Sequence, residues 1–432
     1  MRPRPENETL QRLLDEHGPP PPDALARGTW LRRHLEPLAA ARAGELLDLR
    51  ERAAGRLPDA DGLLLTGAGL EQATHQEVAA ARATRVAERM RDQLGPDALV
   101  LDATCGLGGE AAALAREGVR VVAADLDPTT AACARHNLER WRPGSTEARG
   151  WSGDGPWVVV ADALAPPLAA LGDRPGPPAV LLADPSRRPD GQRTLRPADW
   201  SPSWPALAAV LGRFAGAVVK LAPAARPEEL GSYLPADLAR HWVWVSRRGE
   251  LAELVLFTGV LASEPGREPG REACLLSRTE PGRVLERLLG PPERALDARP
   301  LDDPSTAAFI GVPDPSLVTS GLLGPVAAAA GHAPLGSGIA FTGGAAPATT
   351  AALRSLRVLG TAKLDRRAVR RLLAEHGVGP VRVLARGLNE SAGELERRLA
   401  GPGAERGLLV VARCDSGRRV WLVEEAPQSP PG

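Results

Sequence analysis

Short apolar runs that alternate with amphipathic segments dominate the middle of the chain. From Leu99 onward, ALVLDA, VRVVAAD, WVVVAD, AVLLAD and GAVVKLA are continuously apolar, which is typical of parallel strands buried on both faces of a sheet. Two segments with helical spacing lie between the first three of these runs, GEAAALAREG and PTTAACARHNLERW. Together with HWVWVSRRGELAELVLFTG, which predicts an antiparallel closing hairpin, the pattern predicts a seven-stranded, doubly wound, Rossmann-like α/β sheet.

The segments that flank this sheet have different patterns. Residues 1–94 carry apolar positions at three- and four-residue spacing and predict an N-terminal helical region. We assign residues 95–262 to the α/β domain and residues 263–352, which are rich in Pro and Gly, to a connecting region. Residues 353–425 again alternate strand and helix patterns and predict a small α+β module, and residues 426–432 predict a disordered tail.

Composition narrows the functional classes. The 432 residues include 53 basic and 53 acidic side chains, so no overall field attracts nucleic acid or a membrane surface, and a basic site must be local. Lysine occurs only at Lys220 and Lys363, so the abundant arginines reflect compositional bias and carry little weight individually. The four cysteines have no metal-ligand spacing, which predicts reduced thiols and no metal site. The chain has no signal-peptide pattern and no apolar run of about 18 residues, so we expect a cytoplasmic protein.

A glycine-rich turn follows the first predicted strand. In VLDATCGLGGEA, Gly106, Gly108 and Gly109 lie between strand and helix, where a side chain would obstruct a ligand that approaches the backbone. Three aspartates end the first three predicted strands, Asp102, Asp125 and Asp162. Ligands of such sheets bind at the carboxyl ends of the strands. A carboxylate at position 125 can therefore bind both hydroxyls of a ribose, at about 1.5–3 kcal/mol per hydrogen bond, and one at 162 can accept from an adenine amino group.

The segment GLGGEA also fits the G-x-G-x-x-G/A pattern of nicotinamide-binding domains. In that pattern the first glycine directly follows the strand, whereas DATC intervenes here. No separate substrate domain with a hydride-transfer His or Lys is apparent, and the predicted sheet ends in an antiparallel hairpin. These features argue against a dehydrogenase.

The segment VLDATCGLGGEAAALAREGVRVVAADLDP resembles the first two motifs of class I S-adenosylmethionine-dependent methyltransferases. The chain also resembles, over about residues 69–424, a bacterial group of these enzymes with a C-terminal THUMP-like domain. The segments that carry this resemblance are GLEQATHQEVAAARA, DPSRR, GQR and VVKLAP. The resemblance implies methyl transfer from S-adenosylmethionine, with RNA (tRNA or rRNA) as the suspected substrate, and implies that Gln72 and Thr74 cover the methionine end of the cofactor. The residues assigned to the cofactor are Asp102, Thr104, Gly106, Gly108, Asp125, Leu126, Asp162 and Ala163.

The segment LLADPSRRPDGQRT follows the fourth strand. In amino-methylating enzymes an acidic or amide residue and the next carbonyl accept hydrogen bonds from the target NH2 and align it with the methyl group, as Asp184 and Pro185 would do here. Ser186 and Arg187 replace the Pro-aromatic pair of that motif, so no ring is supplied to stack on a base. Lys220 ends the fifth strand and would point into the same cleft, either as a site residue or as an ion-pair partner.

Two other sources of chemistry near this strand are less favoured. Trp200 or Trp204 could supply a ring, although core packing is the expected role of both. Pyrimidine C5 methylation needs a cysteine nucleophile. Cys105 falls inside the glycine turn, and Cys274 and Cys414 lie away from the loops at the top of the sheet, so we disfavour that reaction.

Local basic clusters suggest contacts with phosphate. Arg187, Arg188 and Arg193 are placed either to contact phosphate beside a flipped-out base or to pair with Asp190 and Asp199 on the surface.

The C-terminal module is also locally basic. Between Arg354 and Arg398 there are eleven basic and five acidic residues, a net charge of +6. The cluster from Arg366 to Arg371 has helical spacing, which fits either RNA contact or a solvated helix face.

Three functions remain open at this point. The first is an RNA base methyltransferase that acts on an exocyclic or ring nitrogen. The second is a small-molecule or protein methyltransferase, and the third is a non-catalytic RNA-binding protein with a vestigial cofactor fold.

Overall fold

The computed structural model describes residues 5–142, 157–164, 179–187, 194, 196–263, 269–291 and 299–426. The chain divides into two compact units. The first comprises Met1–Trp242, Glu253–Pro269 and Arg278–Arg283, and the second comprises Val243–Ala252, Gly270–Ser277 and Val284–Gly432. Among the described residues, no helix combines the length and apolar character that crossing a bilayer requires.

Five helices precede the first strand. They are α1 (Pro5–His17), α2 (Ala24–His34), α3 (Pro37–Ala53), α4 (Gly67–Gln72) and α5 (Gln76–Gln93), with a 3-10 turn at Ala60–Gly62. Asp23 caps α2 by accepting a hydrogen bond from the Ala26 amide at 2.8 Å, and α3 begins at a proline, which has no amide hydrogen to leave unbonded. Leu10 and Leu31 are fully buried between the first three helices, which accounts for the apolar spacing in the sequence.

Five parallel strands form the core of the first unit. They are β1 (Leu99–Asp102), β2 (Arg120–Asp125), β3 (Trp157–Val160), β4 (Ala179–Ala183) and β5 (Gly216–Leu221), in the order β3-β2-β1-β4-β5. The helices of this region are α6 (Gly109–Arg116), α7 (Pro128–Arg140), α8 (Trp204–Leu211) and α9 (Pro227–Gly231), with a 3-10 turn at Pro197–Asp199. Every residue of β1 and β5 is buried, as the continuous apolar runs predicted. The carboxyl ends of these parallel strands therefore meet at one edge of the sheet.

A hairpin follows the parallel strands. It consists of β6 (Arg240–Arg247) and β7 (Glu250–Gly259), and β7 pairs antiparallel with β5 from Gly216↔Gly259 to Leu221↔Leu254. Arg248 and Gly249 form its turn at φ of 56° and 81°, the left-handed pair that suits a tight hairpin. The tip of this hairpin, 243–252, is counted with the second unit.

The second unit contains a mixed seven-stranded sheet and, outside that sheet, an antiparallel pair of strands. The pair is β8 (Arg271–Leu276) and β9 (Val284–Gly290). The sheet has the order β11-β12-β10-β13-β16-β15-β14, in which β14 and β15 are parallel. Its elements are β10 (Phe309–Pro313), α10 (Pro315–Thr319), α11 (Leu323–Ala329), β11 (His332–Pro334), β12 (Thr342–Gly344), β13 (Leu353–Lys363), α12 (Arg366–Glu375), β14 (Val378–Arg386), α13 (Ala392–Leu399), β15 (Glu405–Cys414) and β16 (Gly417–Glu425), with a 3-10 turn at Pro304–Thr306.

The second unit extends beyond the predicted α+β module. Residues 263–352, which the sequence suggests are a connecting region, contain the five strands β8 to β12. Strands β11 and β12 have three residues each, too few for a period of two to be recognised. Local signals were clearer after residue 353, where Asp365 caps α12 and Ser391 and Glu394 form a capping box. Of the predicted tail, only Ala426 lies within the described residues.

Candidate active site

A cavity of about 410 Å³ opens in the first unit where the parallel strands end. Residues from α4, from the glycine turn after β1 and from the ends of β2, β4 and β5 line it. Six of the residues predicted to bind the cofactor lie on its wall, namely Thr104, Gly106, Asp125, Leu126, Asp162 and Ala163. Gln72, Thr74, Asp184 and Lys220 also line it. The fold therefore brings together strand ends that are remote in sequence.

Two different structural reasons explain why Gly106 and Gly108 of the turn are glycines. Gly106 has φ of 54°, and a Cβ placed there would have no atom within 4 Å, so its backbone faces open space on the cavity wall. Gly108 has φ of 86°, caps α6, and a Cβ there would lie 3.1 Å from Leu138 Cγ. Gly106 therefore leaves room for a ligand, whereas Gly108 permits close packing of α6 against α7.

Asp125 is fixed by two backbone amides. Gly106 N donates to its Oδ2 and Asp127 N donates to its Oδ1, each at 3.0 Å. Burial raises the pKa of Asp125, and the amide bonds oppose that shift. Since a carboxylate oxygen accepts more than one hydrogen bond, both oxygens can also accept from a vicinal diol. The neighbouring Leu126 side chain is 66 % exposed, an apolar surface at the cavity rim that suits the face of a flat ring.

Asp162 and Ala163 lie at the same rim. The Leu164 amide donates to Asp162 Oδ1 at 2.8 Å and orients the carboxylate. Asp162 is exposed and Ala163 is buried. This pair presents a hydrogen-bond acceptor beside a small apolar surface.

Asp102 lies beneath the cavity rather than on its wall. It is fully buried, and burial together with the Glu110 carboxylate raises its pKa to about 8, although Lys220 and the Thr104 amide oppose the shift. Among the described residues, neither carboxylate oxygen makes a hydrogen bond of good geometry. At neutral pH this side chain is therefore mostly protonated.

Asp184 and Lys220 form an ion pair on the cavity wall. Lys220 Nζ lies 2.5 Å from Asp184 Oδ2, and the Asp184 amide donates to Thr104 Oγ1 at 2.6 Å. The Lys220 side chain is 9 % exposed and that of Asp184 is 34 % exposed. Pro185 is buried and does not line the cavity. Lys220 is thus both an ion-pair partner and a wall residue, which were separate interpretations of the sequence.

The sequence did not indicate the charged residues behind this pair. Arg82 of α5 binds both oxygens of Glu110, with Nε 3.1 Å from Oε2, and its Nη1 contacts Glu253 Oε1 of β7. Glu110 also lines the cavity and accepts a hydrogen bond from the Thr74 side chain. The only local signal was Glu110 directly after the glycine turn, since Arg82 is one of many arginines in amphipathic helices.

The loop after Asp184 returns to the same edge. Ser186 and Ser201 exchange backbone hydrogen bonds of 2.7 and 2.9 Å, and both line the cavity. The Arg187 carbonyl accepts from Thr194 N at 2.9 Å, and its side chain is partly buried. Arg188, Arg193 and Asp190 lie outside the described residues, so their predicted roles stay predictions.

Aromatic side chains pack away from this cavity. Trp200 and Trp204 are buried and meet edge to face at 6.3 Å, and Trp204 Nε1 donates to the Leu230 carbonyl at 3.0 Å. Among the described residues that line the cavity there is no aromatic ring.

Two family models match separate parts of the chain. Residues 353–425 match the model described as THUMP domain-like, and residues 97–149 match the model described as RNA cap guanine-N2 methyltransferase. The second match covers β1, the glycine turn and β2, which ends at Asp125, and it does not reach Asp184.

Two known proteins are similar over most of the chain. An S-adenosylmethionine-dependent methyltransferase of Mycobacterium tuberculosis, itself uncharacterized, is 32 % identical over 382 residues, which is 85 % of this chain and 91 % of the relative. The crystal structure of a presumed methyltransferase from Porphyromonas gingivalis W83 shares the fold with a TM-score of 0.75 and 19 % identity, over 99 % of this chain and 100 % of that one. The chain therefore belongs to the class I S-adenosylmethionine-dependent methyltransferases and carries a C-terminal THUMP-like domain.

Proposed function

We propose that the enzyme methylates a nitrogen of an RNA base. The observation that carries the proposal is the Asp184–Lys220 pair. Lys220 holds Oδ2 of Asp184, and Oδ1 accepts no hydrogen bond among the described residues. A fixed carboxylate with one open oxygen on the cofactor cavity is suited to accept a hydrogen bond from an amino group that is to be methylated.

The cavity fits S-adenosylmethionine. The two anchored oxygens of Asp125 would bind the ribose hydroxyls, Leu126, Asp162 and Ala163 would surround the adenine, and Thr104, Gln72 and Thr74 would lie at the methionine end. When bound, the cofactor supplies a methyl group already activated by its sulfonium. We also propose that β1 to β7 correspond to the seven-stranded sheet of class I methyltransferases with its closing hairpin.

Orientation of the amino group is the part that this chain supplies. Asp184 Oδ1 would accept one N–H of the target and thereby direct the nitrogen lone pair into the cavity, a positional effect worth up to roughly 7–11 kcal/mol. Burial lowers the pKa of Lys220, but Asp184 and Glu110 outweigh it and the net shift is upward. Lys220 therefore stays an ammonium that anchors Asp184, and it is not the base that removes the proton.

Features of the second unit support RNA as the substrate class. Of the eleven basic residues between 354 and 398, Arg354 and Arg357 pair with Glu425 and Glu424, and Arg398 pairs with Glu390. Seven others are exposed and make no ion pair within 4 Å among the described residues, namely Lys363, Arg366, Arg367, Arg370, Arg382, Arg386 and Arg397. An exposed basic surface without aromatic rings is suited to bind the RNA backbone. The family models for RNA cap methylation and for a THUMP-like domain support the same class.

The test compares modified nucleosides. RNA from a strain lacking the gene should miss one methylated base by mass spectrometry, and the purified enzyme should restore it. Asp184→Asn should lose methyl transfer while binding S-adenosylhomocysteine like the unaltered enzyme. Restored methylation of protein or of small molecules alone would contradict the RNA proposal, and RNA binding without any transfer would identify a non-catalytic protein.

A further inference from the structure

We propose that Arg82, which does not line the cavity, is a positioning residue that directs Lys220 toward Asp184. The inference rests on the proposed function only where it concerns the target amino group. The arrangement of the charges themselves is a property of the free enzyme.

Arg82 is surrounded by carboxylates in the interior. Its side chain is 4 % exposed, and those of Glu110 and Glu253 are 9 % and 10 % exposed. The guanidinium engages both oxygens of Glu110 and one oxygen of Glu253. A planar fork of this kind fixes a carboxylate in two directions at once, which a lysine cannot do.

Glu110 competes with Asp184 for Lys220. Lys220 Nζ lies 3.9 Å from Glu110 Oε1 and 2.5 Å from Asp184 Oδ2. Because Arg82 occupies both Glu110 oxygens, the shorter contact with Asp184 is the better one for the ammonium. Without Arg82, Lys220 would be the nearest cation to the buried Glu110 carboxylate. Because an unpaired buried charge is costly, Glu110 would then attract the Lys220 ammonium.

The charged groups that face Lys220 come from every element around it. They are Asp184 at the end of β4, Glu110 of α6, Glu253 of β7, Arg82 of α5 and the mostly protonated Asp102 of β1. With Arg82 and Lys220 charged, two cations face three carboxylates, so loss of Arg82 leaves one cation for three anions. Lys220 would then turn toward Glu110, and Asp184 would lose the ammonium that anchors it.

The experiment uses the two lysines of the chain. Protein labelled with 15N,13C-lysine gives side-chain signals only from Lys220 and Lys363, and the exposed Lys363 is an internal reference. In Arg82→Met the side-chain signals of Lys220 should move to the positions that they have in Asp184→Asn, where the ammonium has likewise lost its partner carboxylate. Arg82→Lys should give a smaller displacement, since one ammonium leaves an oxygen of Glu110 for Lys220. Arg82→Met/Glu110→Gln, which removes the competing carboxylate, should restore the original positions.

Activity provides the second measurement. In Arg82→Met, kcat should fall roughly tenfold to hundredfold, and the KM for S-adenosylmethionine should change little. Arg85→Met is the matched control on α5. The Arg85 guanidinium lies 4.5 Å over the Phe257 ring, so this variant should lose stability without displacing the Lys220 signals.

The outcomes separate the two proposals. Unchanged Lys220 signals in both Arg82 variants overturn the positioning role, and Arg82→Lys decides alone if Arg82→Met does not fold. A failed rescue by Glu110→Gln also overturns it. Displaced Lys220 signals in an enzyme that methylates no RNA overturn the proposed substrate and leave the role of Arg82 supported.

Discussion

Two carboxylates end the neighbouring strands β1 and β4 and have opposite surroundings. Asp102 is fully buried and its pKa is raised to about 8, because burial and Glu110 outweigh the effect of Lys220. Asp184 lies on the cavity wall and holds the Lys220 ammonium at 2.5 Å. Burial and a neighbouring carboxylate therefore keep one acid neutral, whereas the other lies at the surface of the site in an ion pair.

Asp102 should make stability depend on pH. Its folded pKa of about 8 lies above the ordinary value of 3.8, so between these values the folded state binds a proton that the unfolded state has released. The free energy of unfolding should then fall as pH rises from about 4 to about 8, by at most about 1.4 kcal/mol per unit from this group. Asp102→Asn removes the titration and should flatten the curve over that window, measured by urea unfolding without cofactor. Parallel curves for the two proteins would contradict the raised pKa.

Asp125 should dominate affinity for the cofactor. Asp125→Asn keeps the size of the side chain but replaces one acceptor oxygen and removes the charge, which should cost about 1.5–3 kcal/mol. Calorimetric titration with S-adenosylhomocysteine should show Kd increased by about 10- to 150-fold. Asp97→Asn, at an exposed position outside the cavity, is the control and should bind normally. Equal affinities of Asp125→Asn and Asp97→Asn for S-adenosylhomocysteine would show that the ribose does not bind at Asp125.

The sequence could predict Asp125, Asp162 and Asp184 because each directly follows an apolar run that becomes a strand. It could not predict Arg82 or Glu253. Both lie within ordinary amphipathic or strand patterns, and their importance comes only from the carboxylates and cations that they meet in space.

At the scale of elements, α4 covers the cavity by a close backbone approach. A Cβ on Gly69 would lie 2.8 Å from Thr66 Oγ1 and 2.9 Å from Leu107 Cδ2 of the glycine turn. Thr66 Oγ1 caps α4 by accepting from the Gly69 amide at 3.0 Å. The position of this short helix relative to the turn thus depends on the missing side chain.

Gly69→Ala should displace α4 and weaken cofactor binding. We expect a decrease in affinity of roughly 5- to 30-fold, equivalent to about 1–2 kcal/mol for a small steric shift. Gly67→Ala is the matched control on the same helix, because a Cβ there meets no atom within 4 Å, and helix propensity alone favours alanine in both variants. Calorimetric titration of both variants tests whether α4 covers the cofactor cavity. Equal losses of cofactor affinity in the two variants would show that α4 acts only through its flexibility.

The length of an element decided how well it could be predicted. The ten-residue α12, with buried Val369 and Leu373 on one face, was recognisable from its period. The strands β10 to β12 were not, because they have only three to five residues. They depend for their conformation on pairing with one another and, for β10, with β13. Such pairing joins segments that no local window contains.

At the scale of the whole molecule, the neutral chain concentrates positive charge in its C-terminal module. If the proposed RNA contact is correct, Arg366→Ala/Arg370→Ala should weaken RNA binding. Loss of two phosphate contacts should reduce the slope of log Kd against log salt by about 1.4–1.8. Fluorescence anisotropy at several salt concentrations measures this slope.

The control for this prediction is a pair of neutralised arginines in the same module. Arg354→Ala/Arg357→Ala removes the same charge, but both residues pair with glutamates of β16 in the folded protein. This variant should leave the salt dependence nearly unchanged. An equal change in both double variants would show that net charge, rather than α12, determines binding.

The sequence by itself determined the alternation of strands and helices, the glycine turn and the carboxylates at strand ends. These are properties of neighbouring residues, and hydrophobic period and turn chemistry act over short stretches of chain. Tertiary structure alone decided which charges meet. Arg82 binds Glu110, 28 residues away, and Glu253, 171 residues away, and Lys220 pairs with Asp184 across two strands. Such pairing depends on distance and burial, because a charge in the interior interacts strongly with whichever groups the fold places beside it.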